Sequence, residues 1–243
     1  MKAIIIYPKM KKQIESSLII LTRNEIEGVK SVINKIPLKS VGEYFAVDYN
    51  STDGTVEYFQ KHKIPVVKQE IPGRGEAFSL AVKHARGKYL IFFSPDGNEN
   101  PKDIPKLVNF LKKGNDLVIG SRFMKGARNE EDDQLFKFRA WANQLFTLLV
   151  NLIWNSHISD TINGYRAITK SAFNKLKLDG SGYTIEYQMT IRALKLKMKI
   201  AEIPTMEGNR IGGESGSKAI PTGIKFIKCL IREIRIGTDF TAK

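Results

Sequence analysis

Residues 44–62 read YFAVDYNSTDGTVEYFQKH. An apolar run, Tyr44–Val47, reaches Asp48. Asn50, Ser51, Asp53 and Gly54 then make a turn, and Thr55–His62 has the character of a helix. A short apolar run bounded by turn residues reads as a strand, and a strand followed at once by a helix is half of a β-α-β unit. The unit recurs on both sides. Upstream, the strand Ser17–Leu21 ends in polar Thr22–Glu25 and leads into a helix over Glu25–Lys35. Downstream come a strand at Pro65–Gln69, a turn and helix at Gly73–His84, and a strand at Tyr89–Phe93 that runs into Ser94-Pro95-Asp96-Gly97. Ile104–Leu111 is again helical, and Asp116–Gly120 is a strand ending at Ser121-Arg122. This alternation predicts an α/β fold, a mostly parallel sheet with helices on both faces.

The second half is less regular. Phe136–Trp154 is apolar nearly all round, which points to a buried or oligomer-packing helix. Asp160–Arg166 is a polar turn before Ala167–Thr169, Tyr183–Leu196 is helical, and Ile200–Pro204 is a strand. Ile211–Ser217 holds three glycines and two serines and reads as a loop. The chain divides into an N-terminal extension at 1–15, one domain over 16–218 and a C-terminal extension at 219–243.

Composition narrows the partners. Against 25 acidic residues stand 39 Lys and Arg, a net charge of +14, which favours phosphorylated substrates or an anionic membrane surface. Nucleic acid is excluded as a partner, because no recognition motif and no aromatic–basic interleaving is present. A single cysteine, Cys229, rules out an internal disulfide and a multi-thiolate metal site. His62, His84 and His157 show no ligand spacing. Ala3–Tyr7 is too short for a signal-peptide core, and Leu145–Trp154 has only about half the length needed to cross a bilayer. The expectation is a chain that does not cross a membrane but lies in the cytoplasm, peripheral on the cytoplasmic face of one.

In parallel sheets ligands bind outside the carboxyl ends of the strands. Asn24 and Glu25, Asp48, Asp96 and Arg122 all follow strand ends, so the candidate chemistry converges on one rim. A carboxylate such as Asp48 can accept hydrogen bonds from a nucleobase or ribose, while Asp53 is well suited to cap the next helix. Asp96 followed by Asn98 offers an anionic and a neutral oxygen to a hard divalent cation, Mg2+ or Mn2+, on a diphosphate. Taken singly, an Asp-Gly pair is also an ordinary turn, and Gly73-Arg74-Gly75 lacks dinucleotide spacing and reads as structural.

Taken in order, Leu21-Thr22-Arg23-Asn24-Glu25, the Asp48–Thr55 segment, Gly73-Arg74-Gly75-Glu76-Ala77, Ser94-Pro95-Asp96 and Val118–Arg122 resemble glycosyltransferase family two. The later Asp160-Thr161-Ile162-Asn163-Gly164-Tyr165-Arg166, with Arg210 and the loop ending at Lys218, is similar to dolichol-phosphate mannose synthases and polyprenyl-phosphate glycosyltransferases. The resemblance implies a GT-A (Rossmann-like) domain and inverting transfer of a sugar from UDP- or GDP-sugar to a polyprenyl phosphate. The alternatives are transfer to a sugar hydroxyl of a glycan and a catalytically weak sugar-nucleotide-binding homologue. It implies that Leu21, Arg23, Glu25, Asp48, Pro95 and Asp96 line the donor nucleotide site, and that Asp96 and Asn98 hold Mg2+ or Mn2+. Arg122, Arg139 and Arg210 would face the acceptor phosphate, with Asp96 and Asp160 as catalytic acids of the site. The sequence departs from the family at Leu21 (usually proline), Arg23 (usually tyrosine) and Ser94, which replaces the first aspartate of Asp-x-Asp. Family members often carry transmembrane helices after this domain. In their place Ile220–Ile236 offers an amphipathic helix, with Ile220, Ile224, Ile227, Ile231 and Ile234 on one face and Lys225, Lys228, Arg232 and Arg235 as basic flanks. An anionic membrane surface, a second copy of the chain or a membrane subunit would fit it.

Overall fold

The computed structural model describes residues 14–212 and 219–242. The Ala3–Tyr7 run and the part of the glycine–serine loop from Gly213 to Lys218 lie outside the described residues. Seven strands form one sheet: β1 (Ser16–Thr22), β2 (Glu43–Asp48), β3 (Val66–Lys68), β4 (Tyr89–Phe93), β5 (Leu117–Ser121), β6 (Arg166–Thr169) and β7 (Ile200–Pro204). Their order across the sheet is β3-β2-β1-β4-β6-β5-β7. β6 runs antiparallel to both of its neighbours, and every other pairing is parallel. The register pairs Thr22 with Asp48 and Ile20 with Phe93, so β1, β2 and β4 end on one rim. Because β6 is reversed, the turn that precedes it reaches that same rim, which is how Asp160–Gly164 comes to face the ends of β4 and β5.

Alternation along the strands builds two cores. Leu18, Ile20, Ala46, Ile91 and Phe93 point to the face covered by α1 (Ile26–Val32), α2 (Thr55–Lys61) and α4 (Ile104–Lys112). Ile19, Leu21, Val47, Leu90 and Phe92 point to the other face, under α3 (Arg74–His84), α6 (Lys170–Leu176) and α7 (Thr184–Lys195). Each fully buried side chain of this size contributes about 1.5–3 kcal/mol, so a two-face sheet is a strong attractor for this pattern. α6 was not singled out from the sequence. Its N-cap, Thr169, accepts from the Ala172 N–H at 3.1 Å.

α5 (Phe138–Trp154) and α8 (Ala219–Ile236) form a third layer on α7. The apolar circumference of α5 led to the expectation of a buried or oligomer-packing helix, and in the single chain only Ala140, Phe146, Thr147 and Val150 are buried. Trp141, Leu145, Leu148 and Leu152 are 50–70% exposed. α8 faces both ways. Phe226, Cys229 and Leu230 pack inward, while Ile224, Ile227, Ile231 and Ile234 are 43–50% exposed. Glu233, fully buried, fixes this orientation by accepting from Gln188 at 2.8 Å and pairing with Arg192 and Lys195 at 2.9 and 2.7 Å. Removing one partner from such a buried pair leaves an uncompensated charge, so α8 is pinned to the domain. No helix among the described residues is long and apolar enough to cross a membrane.

Candidate active site

The loops after β1 and β2 are laced together. Asn24 and Asn50 take left-handed backbone angles, φ 53° and 48°, that asparagine tolerates. Asn24 Oδ1 accepts from the Thr52 N–H at 2.8 Å. Asp53 accepts from the Thr55 N–H and from the Ile26 N–H, both at 3.0 Å, so one carboxylate caps α2 and holds the start of α1. α1 presses on the turn after β4: a side chain at Gly28 would collide with the Pro95 carbonyl. In that turn Gly97 has φ +92°, and the Asn98 N–H donates to Asp96 Oδ1 at 3.2 Å.

These loops open on a cavity of about 770 Å3, which is in the usual range for a small-molecule site. Leu21, Arg23, Glu25, Pro95, Asp96, Asn98, Arg122, Arg139 and Arg210 all border it. Arg23 lies over the Tyr49 ring, 5.1 Å from its centroid. Two residues singled out from the sequence stand behind the wall. Asp48 is 3% exposed, and its oxygens are taken by the Ser51 N–H at 2.9 Å, the Ser51 hydroxyl and the Thr22 hydroxyl at 3.1 Å. Asp160 is fully buried. It receives Arg122 Nε at 2.7 Å and Nη2 at 3.1 Å, together with the N–H groups of Ile162 and Asn163 at 3.2 and 3.0 Å. Burial alone would raise its pKa, but the Arg122 charge and these hydrogen bonds hold Asp160 below the usual carboxylate range.

At the cavity floor the balance is reversed. Arg210, which follows β7, bridges two carboxylates: Nη1 meets Asp96 Oδ2 at 2.8 Å and Nη2 meets Glu25 Oε1. Burial pushes Asp96 and Glu25 up, against the pull of Arg210. Three buried side-chain atoms here have no hydrogen-bond partner: Glu25 Oε2, Asn98 Oδ1 and Arg210 Nε. Buried polar groups are nearly always satisfied, so three together mark a place built for a ligand. The oxygens of Asp96 and Asn98 suit a hard divalent cation. Among the described residues no three acidic, histidine or cysteine side chains converge to hold one alone, so donor phosphates would have to complete the shell.

Sequence reasoning missed several residues that border the cavity. Arg74, in a segment read as structural, pairs with buried Glu186 of α7 and lies over Phe78 and Tyr183, 5.6 and 6.0 Å from the ring centroids. Glu186 carried a signal, as an acid within a helix whose residues 184–193 are all buried. Glu207 Oε1 is 3.9 Å from Arg122, and Glu130 Oε2 accepts from Asn98 at 3.0 Å. Glu99 lies one residue past Asn98 and is 9% exposed. Burial, with Asp96 beside it, pushes its carboxyl well up. Arg166, by contrast, is spent on the scaffold: it donates to the carbonyls of Asn163 and Glu186 at 2.8 Å, and burial lowers it to about 10.

The chain is 29% identical over 185 residues to glycosyltransferase AglJ of Haloferax volcanii, covering 76% of this chain and 60% of that one. It is 28% identical to a dolichol-phosphate mannosyltransferase of Pyrococcus furiosus, covering 83% and 59%. With an undecaprenyl-phosphate mannosyltransferase of Micrococcus luteus it shares 27% identity, covering 81% and 85%. The chain thus spans about three fifths of the length of the first two. Among solved structures, glucosyl-3-phosphoglycerate synthase of Mycobacterium tuberculosis, in complex with Mn2+, UDP and phosphoglyceric acid, superposes with a TM-score of 0.72 at 21% identity, covering 90% of this chain and 78% of that one. That likeness confirms the GT-A fold. The glycosyl transferase family 2 pattern matches residues 17–177, two thirds of the sequence, and the chain belongs to that family.

Proposed function

We propose that this chain transfers a sugar, with inversion, from a UDP- or GDP-sugar to a polyprenyl phosphate while lying peripherally on a membrane. The observation that carries the reading is the position of the cavity. Its lining joins the carboxylates Glu25 and Asp96 and the cations Arg122, Arg139 and Arg210 to Phe138 and Phe146 of α5 and Thr222, Gly223 and Phe226 of α8. The outer faces of those two helices are apolar. An acceptor with a phosphate head and a hydrocarbon tail matches that sequence of surfaces.

The chemistry asks little of a protein base. A phosphate monoester is largely ionised near neutral pH, and one of its oxygens attacks the anomeric carbon as the bond to the leaving diphosphate breaks. Arginine grips phosphate oxygens through a planar fork and stays charged, so it orients the acceptor without quenching it. Asp160, buried and occupied by Arg122, is a positioning residue in this scheme. It aims the guanidinium and takes no proton. Asp96 and Asn98 would hold Mg2+ or Mn2+, which when bound offsets the negative charge developing on the leaving group. The relatives named for dolichol-phosphate and undecaprenyl-phosphate mannosyl transfer support the acceptor class, as does the basic flank of α8.

The test presents purified protein with UDP- and GDP-sugars and three acceptors: a long polyprenyl phosphate in anionic liposomes, a short water-soluble polyprenyl phosphate, and free sugars. Arg122→Ala is expected to raise the acceptor Michaelis constant for both phosphates at least about tenfold, the size of a lost charged hydrogen bond. The double variant Ile227→Asn/Ile231→Asn is expected to slow transfer to the liposomal acceptor only. Removing α8 altogether is a poor test, because it would strip Glu233 from Arg192 and Lys195 in the core. Transfer to free sugars with none to either phosphate overturns the reading.

A further inference from the structure

By the family resemblance, Ser94 falls at the first aspartate of Asp-x-Asp. Taken alone, the exchange leaves one anionic ligand, Asp96, and one neutral one, Asn98. A hard cation on a diphosphate is commonly held by one or two carboxylates together with the phosphates, and losing one of two weakens it. The structure brings another carboxylate against the Ser94 backbone. After Asp96 the chain turns tightly through Gly97, where a side chain would run into Ile211 at 2.7 Å. Glu99 folds back over this turn until its Oε2 accepts from the Ser94 backbone N–H at 2.7 Å. It borders the cavity beside Asp96 and Asn98. Among the described residues no Lys, Arg or His forms an ion pair with Glu99, and that one N–H is the sole donor to its carboxylate. The Arg74 charge, paired with Glu186, reaches Glu99 only from beyond ion-pair distance, so this nearly buried carboxylate lacks a close cation. The neighbouring Asn98 Oδ1, buried and unpartnered, belongs to the same gap.

We propose that Glu99 supplies the second carboxylate of the cation site in place of residue 94, so that Asp96, Glu99 and Asn98 together hold the divalent ion on the donor diphosphate. This rests on the donor-site reading given above. A structural role for Glu99, pinning the Ser94 N–H, is the competing account, and the two part over charge. Glutamine accepts the same hydrogen bond through its amide oxygen but brings no charge.

The experiment measures Mn2+ binding in the presence of UDP by the loss of the free-ion electron paramagnetic resonance signal. It uses the full chain and five variants: Glu99→Gln, Ser94→Asp, the double variant Ser94→Asp/Glu99→Gln, Glu99→Ala and Asp96→Asn. Thermal unfolding of each checks that it is folded. Glu99→Gln is expected to weaken Mn2+ at least about tenfold, the effect of one lost charged ligand contact. Ser94→Asp is expected to restore affinity to near the parent in the Glu99→Gln background, and to add much less in the parent background, a non-additivity that marks two positions sharing one role. Asp96→Asn separates the two layers of the argument. If it abolishes Mn2+ binding while Glu99→Gln binds as the parent does, the Glu99 assignment is overturned and the donor-site reading stands. If Asp96→Asn also binds normally, the donor-site reading falls with it. Failure of Ser94→Asp to rescue a folded Glu99→Gln protein likewise overturns the exchange of roles. Should Glu99→Gln prove unfolded, the decision passes to Glu99→Ala with and without Ser94→Asp, read in the same way.

Discussion

Two arginine–carboxylate contacts frame the same cavity and differ in how complete they are. Around Asp160, which is fully buried, Arg122 and three backbone N–H groups consume the carboxylate. Around Arg210, two carboxylates from separate loops share one guanidinium, and both Arg210 Nε and Glu25 Oε2 are left without partners. In the first contact the carboxylate is finished within the protein, so Asp160 behaves as scaffold that aims Arg122. The second is unfinished, and a ligand can exchange into it. Proximity to the cavity therefore does not by itself mark a reacting group. The count of satisfied atoms does.

The largest effect that can break this comparison is on stability. Asp160→Ala strands Arg122 in a buried position, and breaking a buried pair from one side costs about 3–5 kcal/mol. Arg210→Ala removes one guanidinium from two carboxylates that burial already pushes up and that can take up protons in its place, and is expected to cost less than Asp160→Ala. Urea unfolding of the two variants measures both. Equal losses would mean that the two contacts are not different in kind.

A smaller effect concerns the divalent cation. Nη1 of Arg210 stands 2.8 Å from the carboxylate that a cation would need. A cation entering without nucleotide must displace that guanidinium, so Arg210→Ala is expected to tighten Mn2+ by about two- to fivefold, the scale of a partly exposed ion pair. Arg122→Ala is expected to leave that affinity unchanged. Calorimetric titration of Mn2+ into the nucleotide-free protein decides the matter. A gain in the Arg122 variant, or none in the Arg210 variant, would remove the distinction between the contacts.

The comparison also shows what the sequence could and could not reveal. The central strands were legible because two-sided burial writes continuous apolar runs, and Tyr89–Phe93 carries its end in Ser94. Loop position after strands drew attention to Glu25, Asp96 and Arg122. Hydrogen-bond satisfaction was not legible, since it depends on groups far apart in the chain. Asp160 reads as a polar-turn acid near the acceptor and is buried because the reversed β6 brings its turn against Arg122. Asp48 likewise reads as a free strand-end acid, and Ser51 and Thr22 occupy it. Glu99 is indistinguishable from a solvated turn residue until the fold-back onto Ser94 is seen. The outward apolar faces of α5 and α8 were ambiguous because periodicity gives no direction, and only the Glu233 pairs decide which side of α8 faces in.

The smallest effect is in proton binding, and it sharpens the comparison through its sign. In Glu25 burial outweighs Arg210 and raises the pKa in the folded chain above the ordinary glutamate value, whereas in Asp160 the Arg122 charge and hydrogen bonds outweigh burial and lower it. A carboxylate with a raised folded pKa binds its proton more readily in the folded chain. It therefore costs stability at neutral pH, and that cost is relieved as pH falls through the folded pKa. A carboxylate with a lowered folded pKa does the reverse. Its contribution is full above the unfolded value of about 3.9 and is lost only below it. Between neutral pH and about pH 4, then, protonation loosens the Glu25–Arg210 contact while Arg122–Asp160 is intact. In cation-free protein, carboxyl carbon resonances should show Glu25, assigned by its loss in Glu25→Gln, titrating above the exposed glutamates. No aspartate resonance assignable to Asp160 should move until the pH is below the ordinary aspartate range. The stability of the parent relative to Glu25→Gln should rise as pH is lowered across the same interval. A Glu25 resonance that titrates with or below the exposed glutamates would show that Arg210 dominates burial there, and would make the two contacts electrostatically alike.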